Sequence, residues 1–211
     1  MKEKCYITST KTTHKHRKKE IIGPCGPCSF INLTRAKGNF EFEKKLAEMG
    51  RLKPFHASGY TAFLVWGNKF KKDFIVFTSS KKVSNKKFNL MIRYEKIPSD
   101  KIEKFKAMAK KRHESINNKF SNQIKPLRNP LLKLNELLEK GHRVAVLTSD
   151  FYFHKDNPVP HWIVAFKREK NKYWFCDSSN GIISLTKKQL ETGWAINKRE
   201  GFSAQLVTYI V

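Results

Sequence analysis

The chain has 211 residues, 39% hydrophobic and 29% charged, with 16 Phe, 4 Trp and 6 Tyr. That is ample apolar material for one substantial domain and argues against a disordered chain. Forty-three Lys and Arg against 18 Asp and Glu give a formal charge of +25, suited to a polyanion, an acidic substrate or an anionic surface, and equally to a heavily solvated exterior.

Residues 1–20 are polar and basic, with threonines at 8, 10, 12 and 13 and a cluster from Lys15 to Lys19, and read as an N-terminal arm or loose first strand. Met1 to Ile7 lacks the apolar core of a secretory signal. Gly23, Pro24, Gly26 and Pro27 break the chain, and Ser29 to Leu33 begins a helix ending near Gly38. Phe40 to Met49 predicts a second helix closed by Gly50, and Tyr60 to Phe70 a third. Asp73 to Thr78 is strand-like, and Phe88 to Tyr94 reads as a weaker strand. Ile102 to Phe120 carries Ile102, Phe105, Ala109, Ile116 and Phe120 at helical spacing among Lys101, Lys104, Lys106, Lys110, Lys111 and Arg112. Leu131 to Lys140 is a short amphipathic helix stopped by Gly141. Val144 to Leu147, His161 to Phe166, Lys172 to Cys176 and Ser203 to Val211 are β-branched or aromatic runs separated by turn residues. Helices first and strands last predict an α+β fold, in one domain over residues 21–211 with a basic helical elaboration around 80–130. No apolar run approaches the roughly 18 residues that cross a bilayer. The expectation is a cytoplasmic protein whose four cysteines are reduced thiols.

The sharpest local feature is Cys25-Gly26-Pro27-Cys28. It matches a thioredoxin dithiol motif, but the run from Thr13 to Glu20 cannot be the buried strand that must precede it. Half of a zinc site is a second reading, for which no matching second ligand pair follows. The third reading places a nucleophilic cysteine at a helix N-terminus, where unpaired N–H groups favour thiolate and can hold an oxyanion. It needs a base and an orienting acceptor. His161 opens one strand and Asp177 closes the next, and a hairpin turning at Glu169 to Asn171 makes them neighbours.

Cys25-Gly26-Pro27-Cys28-Ser29-Phe30 resembles the Cys-Gly-Pro-x-Ser-Leu start of the nucleophile helix in papain-like cysteine peptidases of the bacteriocin-leader-processing type. His161-Trp162-Ile163-Val164 and Asp177-Ser178-Ser179-Asn180-Gly181 look like that family's His strand and its Asp-Pro-x-x-Gly turn. The segment Leu137 to Val146 is similar to the helix-Gly-strand approach to the His strand, and residues 80–130 have no counterpart. The resemblance implies a papain-like fold, a nucleophile helix on an antiparallel sheet. It also implies cysteine hydrolysis of a peptide or amide bond without a cofactor or metal, with Cys25 as nucleophile, His161 as base and Asp177 as its orienter.

Cys28 competes for the nucleophile role, because other papain-like enzymes use the second cysteine of a similar motif. Asp177 also fits plain turn chemistry, capping its own loop. The family's oxyanion Gln, six residues before the nucleophile, is absent: Lys19 stands there, and a side chain from residues 14–19 is expected to replace it. The competing function is a non-catalytic peptidase-fold protein that binds a polyanion or nucleic acid through its basic surface.

Overall fold

The computed structural model describes residues 3–8, 25–50, 58–152 and 159–209, the side chains at 94 and 95 excepted. α1 (Cys25–Thr34) tolerates Pro27 because its first-turn N–H groups have no intrahelical acceptor anyway. It stops at Arg35, which adopts a left-handed φ of 53°. α2 (Phe40–Gly50) is capped by Asn39, whose Oδ1 accepts from Phe42 N at 2.8 Å. There follow α3 (Tyr60–Phe70), β1 (Phe74–Thr78), α4 (Asn85–Glu95), α5 (Ile102–Lys119), β2 (Ile124–Pro126) and α6 (Pro130–Glu139). The C-terminal part comprises β3 (Val144–Ser149), β4 (Pro160–Glu169), β5 (Lys172–Asp177), β6 (Gly181–Thr186), α7 (Lys187–Arg199) and β7 (Gln205–Tyr209).

The strands form one sheet in the order β2-β1-β7-β3-β4-β5-β6. The class is α+β, as expected, but the sheet is mixed rather than wholly antiparallel, because β1 and β2 run parallel. The long excursion through α4 and α5 explains it: a parallel neighbour requires a crossover, and this insertion provides one. β3 buries every residue, as a central strand covered on both faces must. Along β4 the side chains alternate between two cores. Trp162 and Val164 join Phe30, Phe63, Trp66 and Phe74, carried mainly by α1 and α3. Ile163 and Ala165 join Leu134, Leu137, Phe175 and Leu190, carried mainly by α6 and α7. Each fully buried large side chain contributes roughly 1.5–3 kcal/mol.

Three expectations need correction. Phe88 to Tyr94 is not a strand but part of α4, where Ser84 caps the helix by accepting from Lys87 N and Phe88 and Met91 pack one turn apart. The second half is not purely strands, since α7 follows β6 directly. Thr186 and Gln189 there form a reciprocal capping box. The four cysteines are not all thiols: Cys5 and Cys176 form a disulfide, and Cys25 and Cys28 are free.

Of the basic arm, residues 3–8 lie against the body. Tyr6 N donates to Asn32 Oδ1 at 2.7 Å, and Asn32 Nδ2 donates back to Tyr6 O at 2.9 Å. Thr8 N donates to Ser178 O at 2.7 Å, and Arg143 pairs with Glu3. This short segment therefore ties α1 to the turn after β5.

Candidate active site

α1 presents Cys25 as its first residue, half-buried, and buries everything from Gly26 to Leu33. The thiol thus stands where first-turn N–H groups lack partners and the helix dipole is positive. Cys28, three residues on, is fully buried. Burial, reinforced by the Glu43 carboxylate, pushes its thiol far above the usual range. Of the two free cysteines, Cys25 is the one close enough to His161 to raise the imidazole's pKa.

His161 is the second residue of β4, at the outer end of the β4–β5 hairpin, and its Nε2 lies 2.5 Å from Asp177 Oδ2. With Nε2 committed to Asp177, Nδ1 is the nitrogen left for Cys25. Burial alone would lower the His161 pKa. The Asp177 hydrogen bond and the proximity of the Cys25 sulfur outweigh it and hold the imidazole well above its ordinary value. The ring side chain is still 15% exposed, so a substrate can reach it.

Asp177 is 0% exposed. Burial would raise its pKa, but the His161 contact and two backbone N–H groups keep the carboxyl below the usual range. Its two oxygens divide the work. Oδ1 accepts from Ser179 N at 2.8 Å, Asn180 N at 2.7 Å and Asn180 Nδ2 at 2.9 Å, while Oδ2 serves His161. Turn capping and histidine orientation, alternatives in the sequence, coexist here.

Register explains why this carboxylate meets that imidazole. Near the turn, Glu169 pairs with Lys172 and Lys167 with Trp174, but beyond a shift between Ala165 and Lys167 the pairs are Ala165 with Phe175 and Val164 with Cys176. The extra residue is Phe166. Continuing the shifted register puts Asp177 opposite Ile163, on the same face as His161 and diagonal to it. Without the bulge Asp177 would oppose Val164 and point to the other face, since a one-residue slip inverts every side chain. The pair is visible in the sequence; the bulge that aligns it is not.

Ser58 is a further component the sequence did not single out. Its carbonyl accepts from Trp162 Nε1 at 2.8 Å, and its side chain packs directly on Gly26, next to Cys25. The following Tyr60 donates its hydroxyl to Asn117 Oδ1 at 2.7 Å, so α5 of the basic elaboration braces the start of α3. His113 is part of this brace: its Nε2 lies 2.9 Å from Lys81 O and 3.4 Å from Tyr60 OH.

Lys104, Lys110 and Lys111 are exposed on α5. Residues 14–19, His56 and His154 lie outside the described residues. Among the described residues no three His, Cys, Asp or Glu side chains group as metal ligands do, and no helix is long and apolar enough to cross a membrane. A surface cavity lined by Leu138, Glu139, Arg168 and Lys170 sits near the β4–β5 turn and is lined by none of Cys25, His161 and Asp177.

What the site residues can do together follows from these contacts. A thiol at a helix N-terminus, an imidazole near it, and a buried carboxylate behind the imidazole can generate a thiolate and move its proton. Compared with models of known protein families and with curated proteins, the chain matches none.

Proposed function

We propose that this protein is a papain-like cysteine hydrolase acting on peptide or amide bonds through Cys25, His161 and Asp177. One observation carries the reading: His161 Nε2 lies 2.5 Å from buried Asp177, and Cys25, the first residue of α1, is its other ionisable neighbour. Cys25 Sγ, its proton taken by His161, attacks the carbonyl carbon. The C–S bond forms as the carbonyl π pair moves to oxygen. When that pair returns, the C–N bond breaks and His161 gives its proton to the departing amine. Water, deprotonated by His161, then cleaves the thioester and the thiol is restored. Asp177 keeps the ring oriented and balances the imidazolium charge.

The test compares wild type with Cys25→Ala on a broad peptide and amide library. Turnover confined to wild type supports the reading; equal background turnover in both defeats it. Limiting iodoacetamide at neutral pH should label Cys25 ahead of Cys28.

A second reading rests on charge. Residues 80–130 carry fifteen Lys and Arg against four Asp and Glu, with Lys104, Lys110 and Lys111 exposed. This supports docking of a polyanion, whose affinity would fall steeply with salt. Charge reversal at those three lysines should then abolish retention on heparin at moderate ionic strength. Retention unchanged by the reversal assigns them to solvation.

A further inference from the structure

Attack by Cys25 would place a negative charge on the carbonyl oxygen, and a hydrolase needs donors aimed at it. Backbone donors exist at the first turn of α1, although Pro27 has none to offer. The family resemblance would add a glutamine side chain, and the chain has no Gln or Asn ahead of Asn32.

We propose that the Ser58 hydroxyl is the side-chain donor of the oxyanion hole, an inference that rests on the acyl-transfer reading above. A Cβ built on Gly26 would lie 2.5 Å from Ser58 Cβ and 2.7 Å from Ser58 Oγ. Helical Cα–Cβ bonds tilt toward the helix N-terminus, so the space occupied by Ser58 is displaced toward the Cys25 end of α1. Bond lengths then keep Ser58 Oγ within about 6 Å of the Gly26 nitrogen. One oxygen accepting at about 3 Å from each of two donors spans that separation.

The residue that carries the hydroxyl is also held in place. Trp162, adjacent to His161, donates Nε1 to the Ser58 carbonyl at 2.8 Å, and the residue is only 8% exposed. Two residues on, Tyr60 is fixed by Asn117. A donor fixed before the reaction costs no reorganisation when charge develops, which is what makes an oxyanion hole effective. Gly26 acquires a reason as well: any side chain there would displace Ser58 from the helix terminus.

The experiment separates two reactions of the same thiol. p-Nitrophenyl acetate acylates a cysteine through a tetrahedral oxyanion, whereas iodoacetamide alkylates it by displacement with no oxyanion. Both are followed by intact-mass spectrometry, with the label mapped to Cys25. Ser58→Ala should slow acylation about 10²-fold and leave the alkylation rate within about twofold, which also certifies a folded site. Ser58→Thr, which keeps the hydroxyl, should acylate within a few-fold of wild type. Acylation by Ser58→Ala at the wild-type rate overturns the proposal. So does a parallel loss of both reactions, which would make Ser58 structural, or a Thr variant as slow as Ala. If wild-type Cys25 alkylates readily but never acylates, the hydrolase reading itself fails and the donor role falls with it.

Discussion

The two halves of the candidate site are built on different physical guarantees. α1 supplies Cys25 through local backbone geometry: a helix start leaves N–H groups free wherever it occurs, and the first residue inherits them. The β4–β5 hairpin supplies His161 and Asp177 through pairing register, which one extra residue, Phe166, sets for the whole outer end. The helix contribution survives small shifts of its surroundings. The hairpin contribution is digital, because a side chain is on one face or the other. A nucleophile can thus be anchored by one element, whereas a base and its orienter require two strands to agree.

The largest effect should come from breaking that agreement. His161→Ala leaves Asp177 with no base to orient and should cut peptide or amide turnover about 10³- to 10⁴-fold. Far-UV circular dichroism should stay close to wild type. Full activity in the His161→Ala variant would show that the strand pair does not supply the base.

Asp177→Asn sharpens the comparison by separating the two oxygens. An asparagine Oδ1 still accepts from Ser179 and Asn180, so the turn should persist, while the charge facing His161 is gone. Turnover should drop about 10²-fold or more, and the His161 pKa followed by NMR should fall toward its ordinary value. Asp177→Ala should in addition lower the melting temperature, since it orphans the turn's N–H groups at a cost of about 1–3 kcal/mol. Equal melting temperatures for the Asn and Ala variants would remove the turn-capping role.

On the helix side, Gly26→Ala forces a methyl group against Ser58 Cβ. The expected cost is about 1–3 kcal/mol of stability by overpacking, read by chemical denaturation, with the His161–Asp177 hydrogen bond intact by NMR. A variant as stable as wild type would mean that Ser58 yields freely.

The smallest effect is the dependence of stability on pH. His161 is raised in the folded state, so its contribution is complete below the ordinary imidazole value of 6.5 and is lost as pH rises through the folded value. Asp177 is lowered, so its contribution is complete above the ordinary 3.8 and is lost as pH falls. The stability gap between wild type and His161→Gln should therefore be widest between those two values and narrow at alkaline pH. A gap that does not change with pH would exclude the ion pair as its source.

How much of this was legible in the residues follows from the range of each signal. Cys25, His161 and Asp177 stood out because their cues are local: a Gly-Pro break before a helix, a strand beginning in His, a strand ending in Asp. The bulge left no comparable mark, since Phe166 continues an apolar run and nothing in that run tells a paired residue from an extra one. α4 was misread because its apolar positions at 88, 90, 92 and 94 fit an alternating period, while the Ser84 cap that decides for helix lies outside the run. Ser58 and the Cys5–Cys176 bond depend on contacts between residues far apart in the chain, 171 positions in the case of the disulfide. Periodicity carries no information at that distance. The capping box at Thr186 and Gln189, by contrast, was readable and would have announced α7.

The Cys5–Cys176 bond turns most of the chain into a covalent ring. Cys25 and His161 lie inside the ring, and Asp177 is the first residue past its closure. A single backbone cut anywhere between residues 6 and 175 would therefore leave two fragments that still migrate as one molecule until a reductant is added. The reductants customarily used to keep a thiol such as Cys25 reactive are the same reagents that open the ring. Protecting the one sulfur and preserving the other pair are thus opposing demands on any buffer in which this protein is handled.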